Sequence, residues 1–139
     1  MLSIGVRLPA AFTSAGEFLA DARALEAAGA GLLLLGAGDL EREPLLAALA
    51  AATDRVLLHA EAAGETVRKL ARGRLVAALE DWREVPFPEN RAAWRATLAA
   101  LQEAGAEGVI LDMDPRLLDL LRNPDVDDDR APDLQLAQG

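Results

Sequence analysis

Residues 44–60 read PLLAALAAATDRVLLHA. Pro44 suits the first turn of a helix, because its φ is already helical and its missing N–H is not needed there. Leu45, Leu46, Leu49 and Ala52 then share one face at helical spacing. Thr53-Asp54 ends the pattern, and Val56–Ala60 form a short apolar run that includes His59, the only histidine of the chain. A helix that hands over to a strand through so tight a turn is half of a parallel β-α-β unit.

The same logic holds on either side. Residues 3–8, SIGVRL, read as a strand closed by Pro9. Ser14 and Glu17 form the Ser-x-x-Glu pattern that opens a helix, with Phe18, Ala22 and Leu25 on its inner face and Gly29 as its C-terminal cap. Four leucines, Leu32–Leu35, then precede Gly36-Ala37-Gly38-Asp39. Such an uninterrupted apolar run reads as a strand buried on both faces, the mark of a parallel sheet. Downstream come a short helix over 65–71, an apolar strand over 75–79, and an irregular loop from Asp81 to Pro88. Trp94, Leu98 and Leu101 mark a helix closed by Gly105, and 109–111 make a strand. Asp114-Pro115 starts a last helix, with Leu117, Leu118 and Leu121 inside and Asn123-Pro124 as its stop. An aromatic residue followed at equal spacing by Ala-Gly-Ala and an apolar strand occurs twice, from Phe18 and from Trp94.

The order is α/β, with five parallel β-α units and right-handed crossovers. A full eight-unit barrel takes roughly 200 residues or more, and this chain has 139. The expectation is a partial or truncated TIM-barrel-like fold, closed by itself or by a partner. The alternative is a doubly wound, five-stranded open sheet with a switch in strand order. Two sheet edges favour a homo-oligomer or a partner subunit.

The domain is expected to be 1–124, followed by an acidic tail, 125–139, that carries Asp125, Asp127, Asp128, Asp129 and Asp133 and too few large apolar residues to fold on its own. It lacks the glycine and closing glutamate of a calcium-binding EF-hand loop. With 52% apolar but only 4% aromatic residues, small aliphatic side chains must fill the core. A net charge of −9 argues against nucleic acid or an anionic membrane as partner. No cysteine is present, which removes disulfides, thiolate nucleophiles and zinc-thiolate sites. Neither a secretory pattern nor an apolar run of about 18 residues occurs, so a soluble cytoplasmic protein is expected.

Three stretches carry a family likeness: ALEAAGAGLLLLGAGD at 24–39, PLLAALAAATDRVLLHA at 44–60, and KLARGRLVAALEDW at 69–82. In order and spacing they resemble the luciferase-like monooxygenases, and Ala-Ala-Leu-Ala-Ala-Ala-Thr-Asp-Arg is the most specific part. The likeness covers about residues 3–82 and resumes over 92–111. It implies a (β/α)8-derived fold and an oxidoreductase using FMN or the deazaflavin F420. Where the family runs into glycines after its fourth strand, this chain has Glu80-Asp81-Trp82.

Ligands of parallel α/β folds meet the carboxyl ends of the strands. Those ends carry Arg7, Asp39, His59, Glu61, Glu80, Asp81, Trp82 and Asp112 as candidate ligand-binding residues. His59 is the best catalytic candidate, since imidazole is the side chain that ordinarily titrates near neutrality. Arg7 suits an anionic ligand, and Trp82 suits either a ligand cover or a loop anchor packed on the sheet. Asp39, Glu61, Glu80, Asp81 and Asp112 together would suit a divalent metal and metal-assisted hydrolysis. A non-catalytic assembly module derived from the same fold is the other reading.

Overall fold

The computed structural model describes residues 2–126. The elements in chain order are β1 (Ser3–Leu8), α1 (Ala15–Ala28), β2 (Leu32–Leu35), α2 (Arg42–Ala52), β3 (Leu57–His59), α3 (Glu65–Ala71), β4 (Leu75–Val76), β5 (Trp82–Glu84), α4 (Arg91–Glu103), β6 (Gly108–Asp112) and α5 (Leu117–Arg122). All pairings are parallel, and the six strands lie in the order β4-β3-β2-β1-β6-β5. Most of the acidic tail falls outside the described residues.

Local chemistry sets the elements much as expected. The Ser14 hydroxyl accepts the Glu17 N–H at 3.2 Å and opens α1. Gly29, at φ 109°, ends it in the left-handed conformation that glycine adopts without cost. Gly105 repeats that conformation after α4, so both copies of the aromatic–Ala-Gly-Ala pattern turn alike. All four leucines of β2 are buried, as a strand covered on both faces requires. Helix α2 starts two residues before Pro44, which still lies within the first turn and forfeits no helical bond.

Alternate strand residues face two different environments. Val6, Leu8, Leu33, Leu35, Leu58, Val109 and Leu111 meet the helices, which contribute Phe18, Leu25, Leu49, Val67, Trp94 and Leu117 to the same core. The other face holds a smaller cluster, Leu32, Leu34, Trp82 and Ile110, with Leu57 and Leu79 against it, and no helix among the described residues contributes to it. Helices on one face only mean that the sheet is not doubly wound, which corrects that alternative. The sheet curls into a half-barrel with the small cluster on its concave side.

The sequence also undercounts the strands. Six are present among the described residues, because the supposedly irregular loop 81–88 contains β5, and the run 75–79 is a strand only over Leu75–Val76. Both β4 and β5 run parallel to their neighbours. Residues 77–81 therefore leave the carboxyl end of β4, cross the concave face and enter the amino end of β5. A flat six-stranded sheet would separate its edges by ~24 Å, while six Cα steps span at most ~20 Å. Only a curled sheet lets this link close. Leu79 packs in the concave cluster on the way, and its carbonyl accepts the Trp82 N–H at 3.2 Å.

Trp82 is seated on two glycines. A Cβ at Gly108 would lie 2.3 Å from its ring, and one at Gly5 would lie 3.2 Å away. Trp82 thus packs on the sheet as the first residue of β5. The two edge strands are only two and three residues long, so the edge argument for a dimer has little backbone to act on.

The amino ends of the strands are tied by two charged side chains, Arg74, which is buried, and Glu26, which is half-buried. The Arg74 guanidinium donates to the carbonyls of Ala71 (2.8 Å), Ala50 (2.7 Å) and Val56 (3.2 Å) and to the Thr53 hydroxyl (2.8 Å). Burial, then the nearby Arg72 charge, lower its pKa. The Glu26 carboxylate accepts the N–H groups of Asp54 (2.9 Å), Arg55 (2.6 Å) and Val56 (2.9 Å). Partial burial would raise Glu26, but those three donors outweigh it and hold the group below its ordinary value. These contacts fix the Thr53-Asp54-Arg55 turn that links α2 to β3.

Candidate functional site at the half-barrel mouth

The carboxyl ends of β1, β2, β3, β5 and β6 open onto one cavity of about 530 Å³. Its floor is apolar, made by Leu34, Leu79, Trp82 and Ile110, and its rim carries Arg7, Arg42, His59 and Glu84. A second cavity of about 400 Å³ adjoins it and shares Arg42 and His59 with it, adding Glu43 and Glu61. An apolar floor with a few convergent polar groups is the usual character of a small-molecule site.

Each rim residue is placed by its element. Arg7 lies on β1 opposite Asp112 of β6. Its guanidinium bonds Asp112 at 2.9 Å and also contacts the Glu84 carboxylate closely. Both carboxylates are largely exposed, so each pair contributes ~1 kcal/mol or less. Their effect is to position and neutralise Arg7. Arg42, the first residue of α2, donates to the carbonyls of Leu35 at 2.7 Å and Gly36 at 3.0 Å. His59 ends β3, half-buried, opposite Val76 of β4. Arg83 also borders the cavity and donates to the Glu80 carbonyl at 2.9 Å.

Of the residues singled out in the sequence, Arg7, His59 and Trp82 line the main cavity, and Asp112 reaches it through Arg7. Glu61 borders the adjoining cavity with His59. Asp39 is exposed in the β2–α2 connection and lines neither. Glu80 and Asp81 lie on the crossing segment, and the Asp81 carbonyl accepts the Glu107 N–H at 2.8 Å, at the amino end of the sheet. The five carboxylates that a metal mouth would need are therefore not brought together: β4 stops at Val76, and the chain carries Glu80-Asp81 away from the mouth. Among the described residues, no group of three or more His, Cys, Asp or Glu side chains could hold a metal ion.

Three charged residues of the main cavity, Arg42, Arg83 and Glu84, are missed by sequence reasoning. Arg42 sits in a charged Glu-Arg-Glu run that reads as a solvated helix start, and its partners are backbone carbonyls without a sequence signature. Glu84 falls in a strand of three residues beside prolines. Trp82-Arg83-Glu84-Val85 shows no apolar–polar alternation, so the sequence held no signal for it.

A third cavity, about 210 Å³, lies where the β5–α4 and β6–α5 connections meet. Its cations are matched. Hydrogen bonds from Arg116 pull Asp114 down to about 2. Asn123, then Arg91, hold Asp119 below the usual carboxylate range. The Arg116 guanidinium also stands 4.4 Å from the Phe87 ring centre.

Among the described residues, no helix is long and apolar enough to cross a membrane. No family model matches the chain, and no curated protein or solved structure matches it.

Proposed function

We propose that the protein is a shortened relative of the luciferase-like monooxygenases that binds a flat heteroaromatic cofactor, FMN or the deazaflavin F420, at the half-barrel mouth and acts as an oxidoreductase. The strand order supports the fold part of this reading. From β1 to β4 every step moves the same way around the sheet, and β5 and β6 arrive beside β1 from the other side. Such an order fits an eight-stranded (β/α) ring lacking two consecutive units between β4 and β5.

The observation that carries the function is the cavity itself. It lies at the carboxyl ends of parallel strands, with Leu34, Trp82 and Ile110 as a surface for a ring and Arg7, Arg42 and His59 on the rim. A flavin or deazaflavin, once bound, supplies electron or hydride transfer. The protein's part is to seat the ring on the apolar floor, to exclude water beneath it and to offer the imidazole of His59 as the rim's proton-carrying group.

With no tyrosine in the chain, Trp82 and Trp94 are the fluorophores, and Trp82 forms part of the cavity floor. Titration with FMN and with F420 is expected to quench tryptophan emission saturably, and Trp82→Phe to remove most of that quenching. A linear, non-saturating response to both cofactors sinks the proposal.

A further inference from the structure

Charge around the mouth is distributed unevenly. Arg7 is matched by Glu84 and Asp112, and in the third cavity Arg116 and Arg91 are matched by Asp114 and Asp119. Arg42 is different. The carbonyls of Leu35 and Gly36 hold its guanidinium, and no carboxylate among the described residues forms an ion pair with it. A carbonyl aims a guanidinium without cancelling its charge, and two such bonds leave further N–H donors unspent. Arg42 and His59 are also the two residues common to both mouth cavities. On the far side Glu43 is occupied by the Gly64 N–H at 2.7 Å, and with Glu61 it disfavours an anion there. With Asp112 counted beside Glu84, the main cavity still sets three arginines, Arg7, Arg42 and Arg83, against two carboxylates. This cationic balance occurs in a chain whose net charge is −9, which otherwise repels anions.

We propose that Arg42, with His59, anchors the anionic group of a small organic acid, a carboxylate or a phosphate, whose apolar body lies on Leu34, Trp82 and Ile110. The inference rests on the mouth being a ligand site, as above, but not on the ligand being a flavin. Two oxygens of a carboxylate or of a phosphate match the forked donor geometry of a guanidinium. The carbonyl tethers hold that fork in place before the ligand arrives, so little side-chain freedom is lost on binding.

Benzoate and phenyl phosphate are suitable probes, with benzamide as the uncharged counterpart. The His59 ring gives the only histidine signals in a proton NMR spectrum. Benzoate or phenyl phosphate is expected to move those signals saturably, with an affinity about tenfold above that of benzamide. Arg42→Gln should lower the acids to the level of benzamide, and Arg42→Lys should keep only part of the preference, because an ammonium lacks the planar fork. Which acid binds tighter identifies the carboxylate or the phosphate as the fitting group. Equal affinity for benzoate, phenyl phosphate and benzamide in the native protein, no saturable shift with any of them, or acid binding untouched by Arg42→Gln overturns the proposal. FMN and riboflavin, measured in parallel, separate the two readings. Acid selectivity without flavin binding leaves the anion anchor standing and removes the flavin. Equal binding of FMN and riboflavin, insensitive to Arg42→Gln, does the reverse.

Discussion

Substitution of Gly108 by alanine tests the element on which the concave side depends. The added methyl would stand 2.3, 2.4 and 2.7 Å from three atoms of the Trp82 indole. Carbon atoms pack at about 3.5–4.0 Å, so one group must retreat by on the order of 1 Å. Gly108 cannot give way, because β6 is paired on one side with β1 and on the other with β5. The indole must therefore tilt off Leu32, Leu34 and Ile110, its neighbours in the small cluster. Overpacking of this kind costs about 2 kcal/mol, and for a chain of this length lowers Tm by on the order of 8 °C. Gly5 supplies a graded control: its methyl would meet the same ring at 3.2 Å, so Gly5→Ala should cost less. Urea denaturation followed by circular dichroism measures both. The decisive comparison is a double-mutant cycle. Trp82→Ala alone is expected to cost about 3 kcal/mol, and on that background Gly108→Ala should be neutral or slightly stabilising, since alanine loses less backbone entropy than glycine. Equal costs of Gly108→Ala on both backgrounds would refute the seat.

Two further tests address the amino ends of the strands. Arg74→Met keeps an apolar stem but strands three carbonyls and the Thr53 hydroxyl, so it is expected to cost about 3 kcal/mol in urea denaturation. Arg74→Lys should recover only part of this, because an ammonium lacks the planar fork. Glu26→Gln is expected to cost about 1–2 kcal/mol at pH 7, discounted for partial exposure. Because the Glu26 pKa is lowered by folding, the folded chain binds fewer protons than the unfolded one between the two values. The carboxylate's contribution is then complete above the unfolded value, about 4.3, and is lost as pH falls through the folded value. The gap between native protein and Glu26→Gln should close in that acid window, and a gap that stays constant to pH 2 would contradict the three-donor arrangement.

The parts legible in the sequence are those whose physics is local. The four leucines of β2, the Ser14–Glu17 cap and the left-handed turns at Gly29 and Gly105 each follow from a few adjacent residues. Strand β5 was hidden because three residues between an acidic pair and a proline carry too little pattern, and its pairing with β6 is a long-range matter. The run 75–79 misled for a related reason. Its apolar residues continue past the end of β4 not because the strand does, but because Leu79 is needed inside the concave cluster. The site divided in the same way. Arg7, His59 and Asp112 were read from strand ends, whereas Arg42 depends on two carbonyls and Glu84 on a strand not recognised as one.

The short crossing links these observations. A ring of parallel strands encloses an apolar interior that side chains normally fill in layers. Here no units stand between β4 and β5, and residues 77–81 span the opening instead. Leu79 and Trp82 then fill the lower interior, which is why Gly108 and Gly5 must lack side chains on the neighbouring strands β6 and β1. The volume left above that plug is the cavity of about 530 Å³, with Arg7, Arg42 and His59 at its rim. The depth of the mouth is thus set by the indole of Trp82. Any ligand held there rests on the same ring that closes the core, so binding at the rim and stability of the concave cluster are coupled through one side chain.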